Sequence, residues 1–393
     1  MLASIALLSL LALALGAAAN KLGLPALVGM LGAGLILGAS GLDLLSPELM
    51  AISAEIRQVA LVIILMRAGL SIDLESLRRV GRPAVLLSFV PACFEIAATI
   101  FIAPKLLGVT TLEAAIIGSV IAAVSPAVLV PKMLDLIDRG IGSSRGIPQM
   151  LMASGSIDDL FVLVLFAAFT TLGAGGEFDA AALAQIPLSI GLGIVGGVAA
   201  GCGLVRFFRS FHLRDTAKLL ILMSVGFLLL ALESYLKEWV SFSALLAIMT
   251  MGATVLSRYP ILAHRLSPKY SKLWVVAEIM LFTLVGASVD LGYLSGAGWV
   301  IFAVLGFVLV WRMVGVYLSM VGTHLTLPER AFCMVAYIPK ATVQAAIGAI
   351  PLSMGLECGN IVLTMAIVSI MVTAPLGAYG IDACRGLLIE GKK

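Results

Sequence analysis

The chain alternates long apolar runs with short polar or charged intervals. A helix that crosses a bilayer needs about 20 mostly apolar residues. Runs of that length predict about 13 spans, at 3–19, 24–40, 52–70, 83–103, 112–131, 148–171, 183–207, 216–235, 240–256, 272–288, 297–321, 328–352 and 359–380. The intervals between them leave no room for a separate soluble domain. The reading is an all-α polytopic membrane protein.

Two runs carry a helix-breaking interruption. The fifth contains AAVSPAVLVP, with Ser125, Pro126 and Pro131, and the twelfth contains AYIPKATVQAAIGAIP, with Pro339. Proline removes a backbone donor and frees a carbonyl. At membrane depth a freed carbonyl is tolerated where it is buried in protein or lines a cavity. Paired breaks in the two halves of a transporter point to its binding site. Pro126 and Pro339 lie 213 residues apart. That spacing suggests two inverted repeats, spans 1–6 and 8–13, with span 7 as the link. Gly193, Gly197 and Gly201 on span 7 recur every fourth residue, which favours close helix contact.

Composition agrees. The chain is 61% hydrophobic and 12% charged, with a mean hydropathy of +1.13, against roughly 25% charged residues in ordinary soluble domains. A soluble globular protein, a nucleic-acid binder and a disordered chain are excluded. The net charge of +3 creates no general field for polyanions. The five cysteines form no CxxC pair and read as small apolar packers, not as a disulfide framework. His212, His264 and His324 fall in loops and lack metal-ligand spacing.

The placement of charge gives orientation. Nineteen Lys and Arg residues fall in the loops after odd-numbered spans or in the C-terminal tail, against Arg57, Lys105 and Lys237 on the other side. Basic loops stay cytoplasmic, so the N-terminus is expected outside and the C-terminus inside. The first run ends in GAAAN, as a signal peptide can, but no Lys or Arg precedes it; a membrane helix is the expectation.

Six charges remain at membrane depth, outside the loops: Arg67, Glu95, Asp158, Asp159, Arg312 and Lys340. A charge at the bilayer centre costs several kcal/mol unless paired or hydrated. Arg67, near a span end, is expected to snorkel, with Asp73 and Glu75 nearby. Glu95 and Arg312 are each other's obvious partners, either as a structural pair or as a pair that holds or gates a moving domain. Asp158 and Asp159 are consecutive on span 6, so they point about 100° apart. Carboxylates bind both hard cations and protons, and two buried ones form a place where the two compete. Lys340 follows the second break, with Thr342 and Gln344 adding polarity beside it.

Taken together, VSPAVLVP, GSIDD, the mid-span Arg312 and IPKATVQAA resemble the cation:proton antiporter superfamily, most closely the NHA branch of sodium/proton antiporters. LGLPALVGMLGAGLILG and LFTLVGASVDL resemble further helices of that family. The resemblance implies an NhaA-like antiporter fold with crossed broken helices. It also implies a homodimer embedded in membrane lipids and no enzymatic activity or resident cofactor. It implies a dimerisation scaffold at 1–70 and 216–290, a mobile ion-transporting core at 82–172 and 297–381, and a linker helix at 183–207. The transported Na⁺ or Li⁺ and the proton would share Asp158, Asp159 and Ser125. Lys340 would compensate charge, Glu95 and Arg312 would form the core ion pair, and Thr342 and Gln344 would line the crossover. Many electrogenic relatives carry lysine where Arg312 stands. Arginine does not readily release its proton, so a proton-carrier role there is not expected.

The function expected is elevator-like exchange of Na⁺ or Li⁺ for H⁺ across the bacterial inner membrane, serving pH homeostasis. A K⁺/H⁺ antiporter, or an organic-anion or bile-acid-like carrier on a related fold, is the alternative. A channel needs no proton coupling. An intramembrane aspartyl protease needs two aspartates facing each other from separate helices, which adjacent residues cannot do.

Overall fold

The computed structural model describes residues 1–71, 81–142, 145–174, 180–236, 242–289 and 291–388. Asp73, Glu75, Arg78, Arg79, Lys237, Asp290, Lys392 and Lys393 lie outside them. Among the described residues the regular structure is all helical. In chain order the α-helices are α1 (Leu2–Lys21), α2 (Ala26–Leu37), α3 (Pro47–Ala51), α4 (Ser53–Gly69), α5 (Arg82–Leu87), α6 (Val90–Leu107), α7 (Thr111–Ile121), α8 (Pro126–Asp138) and α9 (Ile147–Ala174). They continue as α10 (Ala180–Ser210), α11 (Asp215–Leu236), α12 (Ala244–Arg258), α13 (Pro260–Ala287), α14 (Leu291–Ser319), α15 (Leu327–Ala336), α16 (Thr342–Ile347), α17 (Ile350–Ser353) and α18 (Gly359–Cys384).

Nine helical stretches among the described residues are long and apolar enough to cross a membrane. The other expected spans match the shorter helices α2, α4 and α12, and the broken run α15–α17. Two spans differ from the pattern-based reading. Span 4 is interrupted at 88–89, because Pro91 denies α6 a donor to the preceding turn. Span 10 begins at Pro260, so Arg265, Lys269 and Lys272 sit on helix rather than in a loop. Spans 5 and 12 are each two helices with non-helical backbone between, as the prolines predict.

Packing divides the chain into two compact units. One comprises the described residues of 53–72 and 163–281. In it Gly193 and Gly197 of α10 abut the carbonyls of Ser243 and Ala247, and Gly201 abuts Thr254. A Cβ at Gly197 would stand 2.4 Å from the Ala247 oxygen, so the four-residue glycine spacing serves helix contact. Arg67, on the last turn of α4, lies in the field of Glu278.

The other unit comprises the described residues of 1–52, 73–162 and 282–393. Its apolar core includes Leu129 and Met133 of α8, Leu151 of α9, Phe332 of α15 and Ile381 of α18. α7 and α15 open alike. Thr110 and Glu113 cap α7 reciprocally, and Thr326 and Glu329 cap α15 in the same way. Each box satisfies two backbone donors that a helix start leaves orphaned. Each therefore fixes where a broken span enters.

Candidate ion-binding site

The first break follows from Pro126. Proline pushes the preceding residue out of the helical region, and Ser125 is extended at φ −88°, ψ 112°. Pro126 is then well placed in the first turn of α8. Around the break, five backbone groups find partners outside the helix ladder. Val124 N–H donates to Asp158 Oδ2 at 2.8 Å. Ser125 N–H donates to the Pro339 carbonyl at 2.8 Å. The Ile121 carbonyl accepts from Lys340 Nζ, that of Ala122 from Arg312 Nη1, and that of Ala123 from Gln344 Nε2.

The second break is satisfied similarly. Arg312 Nε donates to the Tyr337 carbonyl at 2.9 Å. Lys340 N–H donates to Thr373 Oγ1 of α18 at 3.0 Å. Gly377, one turn further along α18, gives room to the Pro339 ring, where a Cβ would stand 2.2 Å from Pro339 Cγ. The two breaks touch each other, and the space around them is filled by side chains that donate hydrogen bonds.

The charges form one buried network. Glu95 on α6 bridges two cations, with Arg312 Nη1 at 2.9 Å and Lys340 Nζ at 2.7 Å from Oε1 and 2.9 Å from Oε2. Arg312 Nη2 reaches Asp158 Oδ2 at 3.2 Å. The side chains of Glu95, Asp158, Arg312 and Lys340 are all fully buried. The expected Glu95–Arg312 pair is thus one edge of a larger figure. Lys340 lies against Glu95 and the Ile121 carbonyl rather than against either aspartate. Thr342 and Gln344 are both buried on α16, and only Gln344 reaches the first break.

Among the described residues, the buried oxygens without a hydrogen-bond donor include Asp158 Oδ1, Asp159 Oδ1 and Ser125 Oγ at this site. Glu95 Oε1 also lacks one but lies in the ion pair with Lys340. Ser125 follows Val124, whose amide holds Asp158, so the serine stands next to the carboxylate in the chain path. Unpartnered buried acceptors, two of them carboxylate, are the donor set a hard monovalent cation or a proton would complete. Among the described residues no three His, Cys, Asp or Glu side chains gather to hold a resident metal.

Tyr337, Ser154 and Thr373 were not among the residues singled out by sequence. Tyr337 OH donates to Ser154 Oγ at 2.5 Å, and its ring lies 5.5 Å from the Arg312 guanidinium.

Two touching broken helices, with buried carboxylates beside them, define a secondary membrane transporter. The chain matches the family model described as sodium/hydrogen exchanger, transmembrane, over residues 6–382. It is 32% identical over 383 residues to human sodium/hydrogen exchanger 9B2, covering 93% of this chain and 70% of that protein. The mouse protein of the same name is 33% identical over 339 residues, covering 83% of this chain and 61% of its own. The sodium/proton antiporter MjNhaP1 from Methanocaldococcus jannaschii superposes with a TM-score of 0.81 over 99% of both chains at 20% identity, and so shares the fold. The chain belongs to the sodium/hydrogen exchanger family, a family of multi-pass membrane transporters rather than enzymes.

Proposed function

We propose that this protein exchanges Na⁺ or Li⁺ for H⁺, one for one, at Asp158, Asp159 and Ser125. The observation that carries the reading is the set of unpartnered buried oxygens on these residues beside a charge-balanced network. Glu95 and Asp158 are matched by Arg312 and Lys340. Asp159 is the surplus negative charge. A bare surplus charge is costly to carry through the bilayer, so the site crosses only when one cation or one proton neutralises it. Either passenger gives the same net charge, and the exchange is electroneutral.

Elevator-like movement of the core, 82–172 with 297–381, against a scaffold of 1–70 with 216–290 is the proposed route, with 183–207 as the link. The family's name and those of its members support sodium and proton as substrates. The excess of basic residues in the loops after odd-numbered spans supports a cytoplasmic C-terminus. Residence in a bacterial inner membrane as a homodimer, serving pH homeostasis, completes the proposal. An organic-anion carrier is disfavoured because Arg312 and Lys340 are already engaged by carboxylates and carbonyls. A K⁺/H⁺ antiporter differs only in cation.

The test uses purified protein in liposomes, with internal pH followed as Na⁺, Li⁺ and K⁺ are added in turn. The expected result is proton movement with Na⁺ or Li⁺ at a rate that does not change when the membrane potential is clamped. A response to K⁺ alone would replace the cation, and a potential-dependent rate would overturn the one-for-one ratio.

A further inference from the structure

The site's ligands come from separate elements: Ser125 from the first break, and Asp158 and Asp159 from α9. Their spacing depends on what ties the breaks to α9. One tie, Val124 N–H to Asp158 Oδ2, ends on a carboxylate that is itself a ligand of the passenger cation. The Arg312 tie ends on the same oxygen. A carboxylate that shares its charge with a bound cation holds both less tightly.

The Tyr337–Ser154 bond is different. Tyr337 caps the end of α15, where the second break begins. Ser154 stands one helical turn before Asp158 on α9. Both side chains are fully buried, and their hydroxyls meet at 2.5 Å. Ser154 Oγ in turn donates to the Met150 carbonyl at 2.7 Å, so it is oriented to accept from the tyrosine. Tyr337 also sets Arg312, through its carbonyl at 2.9 Å and its ring at 5.5 Å. Pro339, two residues on, accepts the Ser125 amide. Tyr337 thus holds α9 through its hydroxyl and lies two residues from the carbonyl that holds the first break, and neither group is a carboxylate.

We propose that Tyr337 and Ser154 form a neutral clip that keeps the cation ligands in register throughout the exchange cycle. They are positioning residues, and this rests on the antiporter reading of the same site. The clip lies wholly within one compact unit. It therefore acts on how well the cation is held and not on the transport movement, so its loss falls on the KM for Na⁺ and spares the maximal rate.

The experiment compares wild type, Tyr337→Phe, Ser154→Ala and the double variant in liposomes, normalised to folded protein. Tyr337→Phe keeps the ring under Arg312 and removes only the hydroxyl. The Na⁺ KM is expected to rise about fivefold, the effect of one net hydrogen bond, with the maximal rate within about twofold. Ser154→Ala should give a similar rise, and the double variant no more than either single, because both remove one bond. An unchanged KM in Tyr337→Phe, a loss confined to the maximal rate, or KM effects that multiply in the double variant would each overturn the clip. Should Tyr337→Phe fail to fold, Ser154→Ala decides alone by the same criterion. Absence of exchange in wild type would overturn the antiporter reading instead.

Discussion

The Ser125 amide donates to the Pro339 carbonyl at 2.8 Å, so the two broken spans are joined backbone to backbone at the residues that break them. What backs this junction is Gly377. Gly377→Ala forces either α18 or the Pro339 loop to shift, and overpacking of this kind costs about 1–3 kcal/mol. The variant should melt earlier and exchange poorly. Gly306→Ala on α14, where a Cβ meets nothing within 4 Å, should melt at or above wild type. Equal behaviour of the two would show that the junction tolerates displacement.

Asp159 carries the charge that the network does not match, and Asp158 carries one that it does. Asp159→Asn should therefore abolish Na⁺-driven proton movement while leaving the melting temperature close to wild type. Asp158→Asn should abolish exchange and also lower the melting temperature, because Arg312 loses a buried partner. Normal exchange by Asp159→Asn would remove it from the site.

One proton and one cation competing for a single charge predicts a simple pH response. Below the midpoint of the site, each unit of acidification should raise the Na⁺ KM about tenfold while leaving the maximal rate unchanged. A rise of about a hundredfold per unit would mean that two protons leave together. The initial rate as a function of Na⁺, measured at several clamped pH values, gives the slope.

Glu95 holds two cations at once. Glu95→Gln leaves both partly uncompensated in a fully buried position, where loss of one partner costs about 3–5 kcal/mol. The expected result is a large fall in thermal stability in detergent, seen whether or not Na⁺ is present. A stable Glu95→Gln protein would mean that the cations are hydrated from elsewhere.

The charged half of this site was legible because a buried charge in a membrane needs a reason to be there. Asp158, Asp159, Glu95, Arg312 and Lys340 stand out against their apolar runs for that cause alone. The hydroxyls did not stand out. Ser88, Thr99, Thr170 and Ser319 all bond the carbonyl four residues back in their own helices, so a hydroxyl in a span carries no signal until its partner is seen. Tyr337, Ser154 and Thr373 were hidden by this background. The sequence also could not assign Lys340 to Glu95 over the aspartates, since that choice depends on how α6 and the second break face one another. The start of α13 was misjudged because a basic stretch reads equally as loop and as the polar end of a helix.

The way the first break is satisfied bears on how the protein is made. The carbonyls of Ala122, Ile121 and Ala123 find their donors 190, 219 and 221 residues later in the chain. A ribosome delivers those donors, Arg312, Lys340 and Gln344, only after the first half has already entered the membrane. Until then the nascent first half holds three exposed acceptors where lipid offers them nothing. It is not an independent assembly intermediate, and fragments ending before α14 should be cleared by membrane proteases rather than accumulate.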